Sequence, residues 1–191
     1  MKMLMATAAF LVAGAAQATV TNYYTTLASD TGGTGTGSVT ASFDDATNVF
    51  TFFADFSGLT GNTTQSHFHC CTATPLAGTA IIAVDSPTLP IPLGVKAGSF
   101  GASLDLDDLD GTGAAVNFNP GFVTVSGGLA PAIAAFKAGM DSGRAYLNVH
   151  TSFKPGGEIR GFMLVPEPAS AALVLAALVA LGTARAGRRS D

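Results

Sequence analysis

The chain has 191 residues, of which 48% are hydrophobic and 12% are charged, and its formal net charge is −4. This length suits one domain with a hydrophobic core of its own. Between residues 19 and 165, five basic residues stand against eleven acidic ones, a net charge of −6. Such acidity argues against nucleic acid or anionic lipid as a direct ligand, whereas cations and neutral glycans remain compatible with it.

The N-terminus has the three parts of a secretory signal. Met1-Lys2 is a short positive start, residues 3–16 are small and apolar, and Ala16-Gln17-Ala18 fits a small-x-small cleavage site. This order predicts a signal peptide over residues 1–18, with a signal helix and export of the rest. A membrane anchor is the alternative, but the apolar run is short for one and ends in a cleavage-type triplet.

The middle of the chain alternates short β-type segments with turns rich in Gly, Pro, Asn and Asp, and the chain contains 23 glycines. One helix is predicted over residues 130–140, where Ile133, Phe136 and Met140 fall at helical spacing. These features predict an all-β domain, an antiparallel β-sandwich with Greek-key-like connections and one short helix. The predicted strands before the last hairpin are residues 19–28, 38–43, 49–56, 63–71, 78–84, 99–106 and 121–125.

The strand at residues 49–56 is rich in phenylalanine. Phe50 and Phe52 lie two apart, and Phe53 and Phe56 continue the run after a shift of one residue. We expect these four rings to supply a large part of the core.

The most distinctive local feature is a hairpin near residue 150. Polar and apolar residues alternate over residues 145–150, which is the period of a strand with two unlike faces. Its turn is Pro155-Gly156-Gly157, because proline fixes φ and glycine accepts positive φ. Glu158 and Arg160 begin the return strand on one face, which predicts an ion pair worth little if it is exposed.

All three histidines of the chain fall on predicted strands. His67 and His69 are two residues apart, and therefore share a face, while His150 lies in the hairpin. Three converging imidazoles with acids nearby are suited to zinc or copper. The alternative is a set of hydrogen-bonded residues in a polar seam of the fold.

Cys70 and Cys71 are the only cysteines, and they are adjacent. In an exported chain two cysteines usually pair, although successive side chains of a strand point to opposite faces, which opposes ring closure. The readings left open are a disulfide between the two, free or buried thiols, and a thiolate contribution to a metal at the histidines.

Other chemistry is sparse. The acids between Asp105 and Asp110 suggest calcium, but Leu109 stands where an acid is needed and no glutamate closes the loop, so a solvated turn is favoured. The sequence has no paired glutamates, no Ser-His-Asp order and no phosphate-binding glycine loop. It therefore predicts a protein that is not an enzyme.

The C-terminus has a second three-part pattern. Pro166-Glu167-Pro168 precedes the uncharged residues 169–184, and Arg185, Arg188 and Arg189 follow. Residues 169–184 predict a transmembrane helix of about 24 Å, slightly shorter than a hydrocarbon core of about 30 Å, with the arginines on the cytoplasmic side.

This arrangement, over residues 165–191, resembles the PEP-CTERM sorting signal of Gram-negative bacteria. The resemblance implies processing by an exosortase-type enzyme. It also implies transient anchoring in the inner membrane, followed by delivery to the cell envelope or the extracellular matrix.

Two separated motifs, read together, resemble the CHRD domain. The first is the His-Phe-His-Cys-Cys strand at residues 67–71. The second is Tyr-Leu-Asn-Val-His-Thr at residues 146–151 followed by Pro-Gly-Gly-Glu-Ile-Arg-Gly at residues 155–161. The resemblance implies an all-β domain over residues 19–164 with no established enzymatic activity. The positions that match the family motifs are His67, His69, Asn148, His150, Glu158 and Arg160.

The sequence predicts two candidate functions. The favoured one is a non-enzymatic envelope or matrix protein that acts by binding or scaffolding, with a matrix polysaccharide or an envelope protein as partner. The alternative is an exported metalloprotein that holds zinc or copper at His67, His69 and His150.

Overall fold

The computed structural model of the chain describes residues 20–29, 32–85 and 89–166. The predicted signal peptide at residues 1–18 and the predicted helix at residues 169–184 lie outside the described residues. Eight strands and two helices are formed in these ranges. In chain order they are β1 (Val20–Ala28), β2 (Thr36–Asp44), β3 (Val49–Ser57), β4 (Thr63–His69), β5 (Ile82–Val84), β6 (Gly98–Asp105), α1 (Pro120–Ser126), α2 (Leu129–Asp141), β7 (Tyr146–Thr151) and β8 (Ile159–Phe162).

The strands form one antiparallel sheet in the order β5-β4-β7-β8-β1-β2-β3-β6. The sheet curls, and strands that are not neighbours in this order therefore meet across the core. Phe50 of β3 and Phe68 of β4 have ring centroids 5.1 Å apart at an angle of 84°. The sequence predicted a sandwich of two sheets, whereas the hydrogen bonds join all eight strands into one curled sheet.

Helix α2 closes the core. Phe136 is fully buried and meets Phe50 edge-on at 5.2 Å, and Ile133 and Met140 are buried on the same side of the helix. The spacing of these residues is what predicted the helix over residues 130–140, and the observed helix is one residue longer at each end. Among the described residues no single helix is long and apolar enough to cross a membrane; α1 and α2 meet that criterion only as a pair bent by 94°.

Two local predictions were wrong. Residues 121–125 were predicted as a strand but lie in helix α1, which Asn119 caps by accepting a hydrogen bond from the Gly121 amide, with Pro120 in the first turn. Phe53 was predicted in the core after a shift of the strand, but β3 alternates without a shift. Phe53 is therefore 53% exposed, and Ala54 takes the inward position.

Glu158 is a buried structural residue. Its carboxylate accepts hydrogen bonds from the amides of Thr60 (2.6 Å) and Gly61 (3.1 Å) and from the Thr151 hydroxyl (2.7 Å). It therefore joins the loop after β3 to the hairpin of β7 and β8. The predicted pair with Arg160 does not occur among the contacts found in the described ranges, since the carboxylate is committed to these donors.

Burial by itself raises the pKa of Glu158, but the hydrogen bonds from Thr60, Thr151 and Gly61 outweigh it and hold the pKa below its ordinary value of 4.5. A depressed carboxyl pKa contributes stability that is present above pH 4.5 and is lost as the pH falls through the folded value. The carboxylate thus makes this junction acid-sensitive.

We predict that Glu158→Gln lowers the free energy of unfolding at pH 7 by about 2 kcal/mol, because an ionised acceptor is lost from buried donors. The difference from the wild type should narrow as the pH falls below about 4.5, where the wild-type carboxyl becomes protonated in the unfolded state. Urea unfolding of both proteins from pH 7 to pH 3 measures it. A difference that stays constant over this range would contradict the assignment.

The two cysteines form a disulfide with a cis peptide bond between them, and their Cα atoms are 3.0 Å apart. Cys70 is buried and Cys71 is exposed. Both sulfurs lie against Gly139 of α2, where an added Cβ would come within 2.6 Å of the Cys71 sulfur and closer still to that of Cys70. Glycine at this position thus allows the helix to approach the end of β4.

We predict that Gly139→Ala destabilises the protein by about 1–3 kcal/mol, because the added methyl group overlaps two sulfur atoms that are held by the ring. Gly111→Ala is the matched control, since a Cβ there meets nothing within 4 Å. Thermal unfolding of the two variants compares them. Equal melting temperatures would show that α2 does not pack on the disulfide as described.

Candidate metal centre

The pairing of β4 with β7 brings the three histidines to one face of the sheet. Asn148 lies opposite His67 and Tyr146 opposite His69, while His150 pairs with Gln65 next to them. Phe68, Leu147 and Val149 point the other way into the hydrophobic core. The histidine face is therefore the outer face of this part of the sheet.

Two chain segments cover that outer face. Residues near β5 contribute the Ala80 carbonyl and the Asp85 carboxylate, and the β7–β8 turn contributes the carbonyls of Pro155 and Gly156. Every residue of β7 is consequently buried, on both faces. The cover leaves His67, His69 and His150 at most 9% exposed.

One nitrogen from each of the three rings lies within 4.8 Å of one from each of the others. The closest pair is His67 Nδ1 and His150 Nε2, at 3.1 Å. His69 stacks in parallel on the Tyr146 ring at 4.8 Å, which fixes its plane. The structure thus brings together the three histidines that the sequence proposed as ligands.

The outer nitrogens determine where the protons are. His69 Nδ1 lies 2.9 Å from the Ala80 carbonyl and His150 Nδ1 lies 2.7 Å from the Pro155 carbonyl. A carbonyl oxygen only accepts, so each Nδ1 carries the proton. When these two imidazoles are neutral, the Nε2 atom of each ring carries a lone pair.

His67 lies between two acceptors. Its Nε2 is 3.1 Å from an Asp85 carboxylate oxygen, and its Nδ1 faces the His150 Nε2 lone pair. Burial, the neighbouring His150 and His69 lower its pKa to about 4, although Asp85 acts in the opposite direction. A neutral His67 has one proton for these two acceptors, and the carboxylate is the stronger.

The result is three inward lone pairs, on His67 Nδ1, His69 Nε2 and His150 Nε2. The His69 Nε2 atom is buried and has no hydrogen-bond partner among the described residues. Burying an unpaired acceptor costs free energy, and so does facing two lone pairs at 3.1 Å. A metal ion at this place would remove both costs, because it would accept all three lone pairs.

The donor set fits zinc or copper. Both metals take neutral imidazole, and metal-bound histidines usually donate their other ring N–H to a carboxylate or a backbone carbonyl. Here all three do so, toward Asp85, Ala80 and Pro155. Nitrogens at about 2.0–2.1 Å from one tetrahedral zinc lie roughly 3.4 Å apart, near the 3.1 Å already present between His67 and His150.

The remaining candidates have structural places. Cys70 and Cys71 are joined to each other, so no thiolate is available to a metal. Asp110 caps its own turn by accepting from the Thr112 hydroxyl and from the amides of Thr112 and Ala114. Asn148 packs its amide where a Cβ of Gly157 would be, and donates to the Gly156 carbonyl.

Asp85 is not among the site residues that the sequence predicts. Asp85 follows the short strand β5, 18 residues after His67, and its carboxylate also accepts a hydrogen bond from the Asn119 side-chain amide at 3.1 Å. Only the pairing of β5 with β4 brings it to the histidines. An acid placed directly after an apolar strand was the one available signal.

A family model described as the CHRD domain matches residues 16–163. The chain belongs to the CHRD domain family. The matched range contains the three histidines, Asp85 and the hairpin of β7 and β8. No curated protein and no solved structure matched this CHRD chain.

We predict that in the metal-free CHRD domain His67 remains neutral down to a pH of about 4, since its pKa is lowered by burial and by His150. In the unfolded chain His67 has its ordinary pKa of 6.5, so between pH 4 and pH 6.5 the unfolded chain binds more protons than the folded one. The contribution of neutral His67 to the free energy of unfolding is fully present above pH 6.5 and decreases as the pH falls toward 4. NMR titration of the imidazole resonances in the presence of a chelator measures the pKa. A value near 6.5 would contradict the buried arrangement.

Proposed function

We propose that this CHRD domain is a non-enzymatic metal-binding module that holds one zinc or copper ion at His67, His69 and His150. The observation that carries the proposal is the convergence of three imidazole nitrogens within 4.8 Å of one another, with another nitrogen of each ring close to an outer acceptor. The favoured expectation from sequence was binding or scaffolding without a metal. The His69 Nε2 atom, which is buried and has no hydrogen-bond partner within the described part of the chain, favours the metal instead.

The domain's charge supports this reading. Neutral imidazole ligands would leave a divalent ion with its full charge, and Asp85 lies next to the cluster through its contact with His67. The net charge of −6 over residues 19–165 favours a cation over an anion.

The test is metal binding by the full chain, exported from a Gram-negative host and purified without a histidine tag. The chain has only three histidines, so the tag would be the main competing site. We expect one zinc or copper per chain by elemental analysis. His69→Ala and His150→Ala should each weaken binding by about 100-fold or more, since a ligand counts for more than an outer partner.

The matched control is Asp108→Asn, which removes an exposed acid from the 105–110 run and should leave binding unchanged. Circular dichroism of each variant reports folding separately from metal content. No bound metal in the wild type, even after incubation with zinc and copper salts, would refute the proposal.

A further prediction concerns the outer partner of His67. Asp85→Asn should weaken metal binding by about 10–100-fold, because the carboxylate orients the ring and raises its basicity. Competition with a chromogenic chelator measures the affinity. Asp55→Asn, on the outer side of β3, is the control for loss of one negative charge. Equal effects of the two variants would mean that net charge, and not the bond to His67, sets the affinity.

We further propose that the protein is exported and sorted to the envelope or matrix. The support is the order of features in residues 1–18 and 165–191, which lie almost wholly outside the described residues. The implied partners are an exosortase-type enzyme, the inner membrane before processing, and a matrix polysaccharide or envelope protein afterwards. Mass spectrometry of the secreted protein would show loss of the segment beyond Pro166-Glu167-Pro168. Glu167→Ala should leave the chain uncleaved in the membrane fraction, and normal release of this variant would contradict the sorting proposal.

A further inference from the structure

The outer face of the sheet differs between its two halves. Over β4 and β7 the outer side chains are covered, whereas along β1, β2 and β3 they are exposed or half-buried and alternate with core residues. The strand register arranges them in rows that run across the three strands. The central row is Tyr24-Thr40-Phe53, and the rows on either side of it are Asn22-Ser42-Thr51 and Thr26-Ser38-Asp55.

Two aromatic rings stand in the central row. Tyr24 is 47% exposed and Phe53 is 53% exposed. Because their strands are two spacings apart, their backbones lie roughly 9–10 Å from each other. Only Thr40 stands between them, and its side chain is small. A single exposed ring is ordinary on a protein surface, but two rings in one row of a hydroxyl-rich face form a platform.

A shallow groove of about 240 Å³ lies over β2 beside Phe53. Gly101 of β6 leaves room for the ring on its other side, since a Cβ at Gly101 would be 3.4 Å from Phe53 Cδ2. The groove therefore has an aromatic wall. Amide and hydroxyl side chains that line it belong to Asn22, Thr40, Ser42 and Thr51.

The charge of this face restricts the class of ligand. The strands β1, β2, β3 and β6 contain no lysine or arginine. Asp55 is the one charged residue of the three rows, and it accepts a hydrogen bond from the Ser38 hydroxyl. An anionic polymer would meet no cation on these strands, and the net charge of the domain would repel it.

We infer that the outer face of β1, β2 and β3 binds a neutral polysaccharide. The C–H groups on one side of a sugar ring carry slight positive charge, and they match the negative faces of Phe53 and Tyr24. The sugar hydroxyls exchange hydrogen bonds with the groove. A protein hydroxyl both donates and accepts, so a bond within the sheet, such as that between Thr51 and Ser103 at 2.9 Å, leaves further capacity.

The separation of the two rings favours a polymer over a single sugar. A monosaccharide in the groove reaches Phe53 alone, whereas an extended chain lies across the strands and contacts Tyr24 as well. The inference deepens the proposed matrix-polysaccharide partner and rests on that part of the proposed function, but it does not depend on the metal centre.

The experiment is native gel electrophoresis of the exported full chain through gels that contain a dissolved polysaccharide. The neutral probes are hydroxyethyl cellulose, galactomannan and dextran, and alginate is the anionic probe. At least one neutral probe should retard the protein, and alginate should not. Tyr24→Ala and Phe53→Ala should each weaken the retardation constant by about tenfold or more, because an aromatic contact is lost. Phe53→Tyr keeps a ring and should retain binding.

The matched control is Phe153→Ala, which removes a ring of similar exposure, 46%, outside these three strands. This variant should bind like the wild type. Both test residues are exposed, so unchanged melting temperatures are expected and would show that folding is intact. Elemental analysis of the same samples follows the metal separately.

The outcomes separate this inference from the proposed function. Retardation of the wild type that Tyr24→Ala and Phe53→Ala leave unchanged would keep the polysaccharide as partner but refute this face. No retardation by any neutral probe would overturn the inference, and one bound metal per chain would still support the metal centre. Self-association that Phe53→Ala abolishes, without retardation, would assign the face to a second copy of the chain and would also overturn it.

Discussion

The proton count at His67 is the constraint on which the site depends. One imidazole proton faces two acceptors, the Asp85 carboxylate and the His150 lone pair, in a place that water does not reach freely. Protonating the ring fully is opposed by burial, and turning it would break the contact with Asp85. The arrangement persists although His67 lacks a second proton, because the hydrophobic core on the other face of β4 and β7 holds both strands in register. A cation coordinated by the three lone pairs would remove this cost.

The architecture explains why so polar a cluster is buried. The sheet curls around a core of phenylalanines closed by α2, and its outer face would normally meet water. Over β4, β7 and β8 that face is covered by the β7–β8 turn and by residues near β5. These covering segments supply backbone carbonyls, which fix imidazole tautomers without adding charge. Glu158, bonded to Thr60 and Gly61, ties the turn to the loop after β3, so the cover is joined to the body of the domain.

The sequence predicted what is periodic and local. Alternation in residues 145–150 and the spacing of Ile133, Phe136 and Met140 gave the hairpin and α2 with nearly correct bounds. The sequence favours a strand in place of helix α1, because Val123, Thr124 and Val125 are β-branched, although Asn119-Pro120 is a helix start signal. Asp85 and the buried role of Glu158 depend on pairings between distant segments, which no local pattern contains. The three histidines were found because two of them share a strand face, but their contacts with Ala80 and Pro155 needed the fold.

The separation of the histidines along the chain has a consequence for how the site is loaded. His67 and His69 stand some eighty residues before His150, and only the pairing of β4 with β7 joins them. An unfolded chain presents at most two of the three ligands within a short segment, so it holds a metal weakly. The complete set forms only after the sheet has closed. A metal held by the three histidines would therefore be acquired after the sheet has formed, from the compartment in which the chain folds.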